Sequence, residues 1–173
     1  MRKIKTNFKG LFVIKSKKFV DKRGYFRELL VEKIVKKKLI FHVASKTNKN
    51  CLRGLHLQRK KGQGKFISVV KGKIFDVSVD CRKKSKTFGK YYKIILSDKN
   101  CTSIYIPPGF AHGFVGLNKE NIVVYHCTQY RHEKSETGIL WNDKTIKIKW
   151  PVKKPKISNK DSKNINFKVF NNL

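Results

Sequence analysis

A hairpin signal in the middle of the chain limits the possible folds more than any other feature. Phe66-Ile67-Ser68-Val69-Val70 and Ile74-Phe75-Asp76-Val77-Ser78-Val79-Asp80 flank Lys71-Gly72-Lys73. A short glycine-bearing connection between two β-branched runs closes an antiparallel pair. In the second run Phe75, Val77 and Val79 fall on one face, and Asp76, Ser78 and Asp80 on the other, because strand side chains alternate. The pattern recurs along the chain. Leu11 to Ile14 and a weaker run at Phe19-Val20 precede a turn at Asp21-Lys22-Arg23-Gly24, and Tyr25 to Leu30 extends beyond it. Phe41 to Ser45 and Cys51 to Gln58 read as strands around the polar loop Lys46 to Asn50. Tyr91 to Leu96 and Ser103 to Ile106 flank a turn at Asp98-Lys99-Asn100, before Pro107-Pro108-Gly109 stops the second. Ile122 to Tyr130 is a further strand, and Ile146 to Trp150 alternates up to Pro151. Helical signal is confined to one or two turns within Glu32 to Lys38.

About ten short strands with frequent turns predict an all-β fold, an antiparallel sandwich or barrel. A jelly roll is its natural form, since two packed sheets can hold a ligand between them. The chain's 173 residues suit a single domain, with an irregular, surface-wrapping segment over about 152–173.

Charge bears on partners rather than on fold. The net charge is +31, from 35 lysines and 7 arginines against 11 acidic residues. Phosphate neutralisation could use such a surface. Base reading, however, favours arginine forks, and no helix-turn-helix, zinc-finger or RNA-recognition pattern is present. The lysines are therefore read as a solvated surface that draws in an anionic substrate, with nucleic acid not expected as a partner. No apolar run follows Met1-Arg2-Lys3-Ile4-Lys5, and no segment reaches membrane-span length, so a cytoplasmic protein without membrane association is expected. Cys51, Cys81, Cys101 and Cys127 form no CxxC pair, which suits reduced thiols.

The polar residues inside strands are the candidates for chemistry. In Leu52-Arg53-Gly54-Leu55-His56-Leu57-Gln58, strict alternation puts Arg53 with Leu55 and Leu57, and His56 on the opposite face. Gly54 leaves room for something to approach the backbone beside the imidazole. His112, Tyr125 and Tyr130 also fall within strands or beside them. No HxH pair exists, so a protein-bound metal is not expected. Histidine, tyrosine and cationic groups without a metal suit proton transfer next to a carbonyl. A histidine takes the proton, a tyrosine returns one, and a cation holds the enolate oxygen. A lone histidine could equally be a core residue with a backbone partner, Arg23 with Glu28 a surface ion pair, and Tyr130 a core aromatic.

Blocks in a fixed order carry a family resemblance. They are Asp21 to Glu28, Leu52 to Gln58, Val70 to Arg82, Ile106 to Phe114, Trp141-Asn142-Asp143 and Ile157 to Asp161. From about Phe8 to about Asp161 the chain resembles the dTDP-4-dehydrorhamnose 3,5-epimerases, which have a jelly-roll, cupin-like fold. The resemblance implies epimerisation of a dTDP-4-keto-6-deoxyhexose at C3 and C5, without a cofactor and in a homodimer with an exchanged N-terminal strand. It makes His56 the base, Asp161 its dyad carboxylate and Tyr125 the proton donor. It sets Arg23, Glu28, Arg53, Lys65, His112, Tyr130 and Glu136 against the nucleotide sugar, with Lys65 or His112 on the 4-keto oxygen. Asp143 reads as a turn residue.

Two departures concern substrate identity. A Gln-x-Asn-x-Ser element usual in that family is here Phe41-His42-Val43-Ala44-Ser45. A proline common after the second tyrosine gives way to Arg131-His132. The alternatives are a single-centre epimerase acting on another nucleotide sugar, and a non-catalytic binding module.

Overall fold

The computed structural model describes residues 1–172. Two antiparallel sheets face each other. One has the order β1 (Arg2–Lys5), β2 (Phe12–Lys15), β10 (Thr102–Ile106), β7 (Lys65–Lys71), β12 (Glu120–Cys127), β5 (Phe41–Asn48). The other runs β13 (Glu136–Gly138), β6 (Leu52–Gln58), β11 (Phe110–Gly116), β8 (Lys73–Asp80), β9 (Tyr91–Ser97). A separate hairpin pairs β3 (Lys18–Asp21) with β4 (Gly24–Arg27). This is the expected jelly-roll sandwich, and the helices are short: α1 (Glu32–Val35), α2 (Asn159–Ser162) and α3 (Phe167–Asn172). Among the described residues no helix is long and apolar enough to cross a membrane.

Three apolar layers explain why the sequence folds this way. Between the sheets, Leu11, Val13, Ile67, Val69, Ile104 and Val123 meet Ile74, Leu96, Phe110 and Phe114. Outside the six-stranded sheet, Phe12, Ile14, Phe66 and Tyr105 pack under Val35 of α1. Outside the five-stranded sheet, Leu55, Leu57, Val77, Val79 and Ala111 are covered by Ile146, Phe167 and Phe170. Burying these side chains supplies most of the folding drive, about 1.5–3 kcal/mol for each large one.

The alternation read in β8 is present, but both of its faces are buried. Val77 and Val79 point outward under the C-terminal segment, while Asp76, Ser78 and Asp80 point inward and are also buried. Asp80 is satisfied there by Arg82, Ser85 and Thr87.

Several expectations need correction. Ile146 to Trp150 forms no strand: Ile146 joins the outer apolar layer and the Trp150 indole donates to the Trp141 carbonyl at 2.8 Å. Strand β5 continues through Lys46 to Asn48, which had read as loop, because all eight of its residues pair with β12. The segment after Pro151 is partly helical and part of the core, since Phe167 and Phe170 anchor it. Asp143, by contrast, is the turn residue expected, with its carboxylate accepting from the amides of Thr145, Ile146 and Phe167.

Candidate active site

Between the sheets lies a cavity of about 530 Å³. Arg53, His56 and His112 line it from the five-stranded sheet, and Phe41, Val43, Lys65, Tyr125 and Cys127 from the six-stranded one. Arg131, Glu136, Lys160 and Asp161 also line it.

An irregularity in β6 builds the first wall. Arg53 pairs with Phe114 and His56 with His112, so Gly54 and Leu55 together oppose the single Gly113. The extra residue makes a bulge and reverses the alternation beyond it. Arg53 and His56 therefore share the cavity face, whereas strict alternation had separated them. Glycine is required on both strands. A Cβ on Gly54, at φ +122°, would lie 2.6 Å from the Gly113 Cα, and a Cβ on Gly113 would lie 2.6 Å from the Arg53 carbonyl oxygen. The space beside His56 is thus filled by neighbouring backbone rather than left for a ligand. Arg53 is tethered through Nε to Thr47 Oγ1 at 2.8 Å and through Nη2 to the Lys46 carbonyl at 2.9 Å.

His56 Nε2 donates to Asp161 Oδ1 at 2.6 Å, and Asp161 Oδ2 accepts from the Gly54 amide at 3.1 Å. One carboxylate thus holds both the imidazole and the bulge. Helix α2 carries Asp161, and Ser158 caps the helix by accepting from the Asp161 amide. Burial pushes the Asp161 carboxyl up, but the bond and charge of His56, the Gly54 amide and Lys160 outweigh it and hold its pKa below the ordinary value. A carboxylate that stays ionised can fix the tautomer with the proton on Nε2, leaving the lone pair of a neutral ring on Nδ1.

A second histidine–carboxylate pair lies beside the first. His112 Nε2 donates to Asp76 Oδ2 at 2.7 Å, and both side chains are buried. Sequence reasoning missed Asp76 as a site residue. Its signal was the polar row on β8, but the pairing joins residues on different strands. On the opposite wall burial lowers the Lys65 ammonium pKa, although Cys127, Glu136 and Asp76 favour its charge. Burial raises the Tyr125 phenol pKa, so Tyr125 holds its proton at neutral pH.

Three expected site residues lie elsewhere. Tyr130 is 60% exposed and packs beside Phe41, with ring centroids 6.0 Å apart; its neighbour Arg131 lines the cavity instead. Arg23 and Glu28 are exposed and absent from this cavity's lining. Arg23 pairs with Asp21 at 2.7 Å in the β3–β4 hairpin, whose base is held by Arg27 on the Ser16 hydroxyl, the Val69 carbonyl and the Ser103 hydroxyl. That anchorage keeps the hairpin against the outer side of the six-stranded sheet. Glu136 sits at the cavity, where burial pushes its pKa up but Lys160 and Arg131 hold it down, to about 2.

Among the described residues no three His, Cys, Asp or Glu side chains cluster as a metal site. The four cysteines are free. Burial raises the Cys127 thiol to about 11 and the Cys81 thiol to about 12, so neither is a thiolate at neutral pH.

Comparison with known proteins agrees with this geometry. The family profile of dTDP-4-dehydrorhamnose 3,5-epimerase matches residues 5–169. The enzyme of that name from Methanothermobacter thermautotrophicus is 43% identical over 156 residues, 87% of this chain and 84% of the relative. Its Shigella flexneri counterpart is 42% identical, over 93% of both chains. The crystal structure of dTDP-6-deoxy-D-glucose-3,5-epimerase from Legionella pneumophila, in complex with dTDP-4-keto-L-rhamnose, superposes with a TM-score of 0.92. It is 36% identical and covers 97% of this chain and 93% of that one. With a profile spanning nearly the whole sequence and relatives above 40% identity, the chain belongs to the dTDP-4-dehydrorhamnose 3,5-epimerase family.

Proposed function

We propose that this protein epimerises a dTDP-4-keto-6-deoxyhexose at C3 and C5, taking dTDP-4-dehydro-6-deoxy-D-glucose to dTDP-4-dehydro-L-rhamnose. The observation that carries the reading is the His56–Asp161 pair on one sheet facing the cavity that Tyr125 lines from the other. A 4-keto group acidifies the carbons on either side of it. His56 removes a proton at one of them through Nδ1, and Asp161 stabilises the imidazolium that results. Lys65 holds the enolate oxygen as charge develops there, and His112, oriented by Asp76, adds a hydrogen bond to it when both of its ring nitrogens carry protons. Tyr125 then delivers a proton from the opposite side. Because base and acid belong to facing sheets, removal and return occur on opposite faces of the sugar, and the centre inverts. Arg53 is placed to take the diphosphate.

The active form is a homodimer working in the cytoplasm. Support comes from the β3–β4 hairpin, which exposes Phe19, Val20, Tyr25 and Phe26 and pairs with no third strand in the protomer. On a second copy, that hairpin carries Arg23 and Glu28 to this cavity. Nucleic acid is not part of the function.

The test is incubation with the 4-keto substrate in heavy water. Deuterium should enter at both C3 and C5 with formation of the L-rhamno product. His56→Ala should lose both exchange and product while keeping its thermal transition. Exchange at a near wild-type rate in a folded His56→Ala protein would remove His56 as base. Exchange at one carbon would favour a single-centre enzyme, a reading that the apolar Phe41 and Val43 in the cavity wall keep in play.

A further inference from the structure

We propose that Arg131 is a further binding residue for the substrate's diphosphate, and that Glu133 occupies its guanidinium until the nucleotide sugar arrives. The inference rests on reading the cavity as a nucleotide-sugar site, and it adds a residue and a competition which that reading does not contain.

The first argument is that Arg131 is held in place. Gln58, a buried side chain two positions after His56 on β6, clamps the backbone on both sides of it. The Gln58 Nε2 donates to the Tyr130 carbonyl at 3.3 Å, and the Gln58 Oε1 accepts from the His132 amide at 3.0 Å. The loop carrying Arg131 is therefore registered to the strand that carries His56. In that register Arg131 lines the cavity, while Tyr130 packs outside it beside Phe41.

The second argument is charge. The cavity lining contains Arg53, Lys65, Arg131 and Lys160 against Glu136 and Asp161, four cations to two carboxylates. That surplus of two positive charges matches the two negative charges of a diphosphodiester. Lys160 Nζ and Arg131 Nη2 both reach Glu136 Oε2 at 2.9 Å, so Glu136 holds the two cations together at the cavity.

The third argument concerns Glu133. Its Oε1 lies 2.7 Å from Arg131 Nη1, yet its side chain is 73% exposed. Exposed ion pairs contribute little, so this carboxylate can swing out to solvent at small cost. A phosphate oxygen can take its place on Nη1, and guanidinium also has its Nε–H and further Nη hydrogens to offer. Glu133 thus stands where an anionic ligand would bind.

Calorimetric titration of the full-length protein with dTDP, thymidine and inorganic pyrophosphate tests this. Substituting Arg131→Gln should weaken dTDP binding about ten- to a hundredfold, the usual cost of a hydrogen bond to a charged group. Arg131→Lys should recover part of the loss, and thymidine binding should stay unchanged. Glu133→Gln should act in the opposite direction, tightening dTDP by about two- to fivefold at low salt. Lys99→Gln, which removes a surface charge at a distant turn, controls for the general field. Wild-type dTDP affinity in Arg131→Gln would overturn the proposal. So would an equal loss for thymidine, which would move Arg131 to the base, or a Glu133→Gln protein binding no tighter than wild type. These readouts do not need turnover. A wild-type protein that binds dTDP but washes in no deuterium would sink the epimerase assignment and leave the Arg131 inference standing.

Discussion

At the scale of single residues, the site separates two roles that a histidine and a tyrosine could each fill. His56 is paired with an ionised carboxylate, which suits it to receive a proton. Tyr125 is raised by burial, which suits it to keep a proton until an enolate needs it. Replacing Tyr125 with Phe should therefore block inversion but not abstraction. In heavy water the recovered substrate should gain deuterium with its configuration retained, while the epimer accumulates about a hundred to ten thousand times more slowly. Nuclear magnetic resonance of the recovered sugar distinguishes the outcomes. Normal inversion by Tyr125→Phe would mean that another acid, on another element, reaches the sugar.

At the scale of elements, the β6 bulge and helix α2 act as one unit. The bulge turns Arg53 and His56 to the same face, and the Asp161 carboxylate on α2 binds both the bulge amide and the imidazole. The C-terminal segment is tied to the same strand by the Asn164 side-chain amide, which donates to the Gly54 carbonyl at 3.2 Å. A methyl group at Gly54 would collide with the Gly113 Cα and the His112 carbonyl oxygen, at a φ that L-residues disfavour. Gly54→Ala should destabilise the fold by about 2–4 kcal/mol, combining overpacking with backbone strain. Urea unfolding measures this. A loss under about 0.5 kcal/mol, in the range of ordinary surface changes, would show that the two strands can separate without penalty.

At the scale of the whole molecule, the acidic residues are few and mostly engaged. Asp76, Asp80, Asp143 and Asp161 are buried, while Glu120, Glu133 and Glu136 pair with cations. The exterior is left with a large uncompensated positive field. Such a field speeds encounter with a dianionic substrate and is screened beyond about 8 Å at physiological ionic strength. The value of kcat/KM should therefore fall as salt rises from low to physiological concentration, with kcat nearly constant. A salt-independent kcat/KM would show that the field does not assist capture.

The sequence by itself determined the architecture. Alternating β-branched runs and glycine or asparagine turns are local signals, and local signals suffice to specify antiparallel hairpins. Its ordered blocks made Arg53, His56, His112 and Asp161 legible, and the family resemblance they carry added Lys65, Tyr125 and Glu136; all seven line one cavity. What only the tertiary structure decided depends on contacts between distant segments. The bulge opposite Gly113, the pairing of Asp76 with His112 and the packing of Phe167 and Phe170 under β8 each join residues far apart in the chain. The placement of Arg131 rather than Tyr130 at the cavity belongs with these, because the loop's backbone is held by Gln58, which lies 72 residues before Tyr130. Periodicity reports the face a residue takes within a regular strand. It carries no record of an inserted residue or of a clamp from a distant strand, and those two features shape this site.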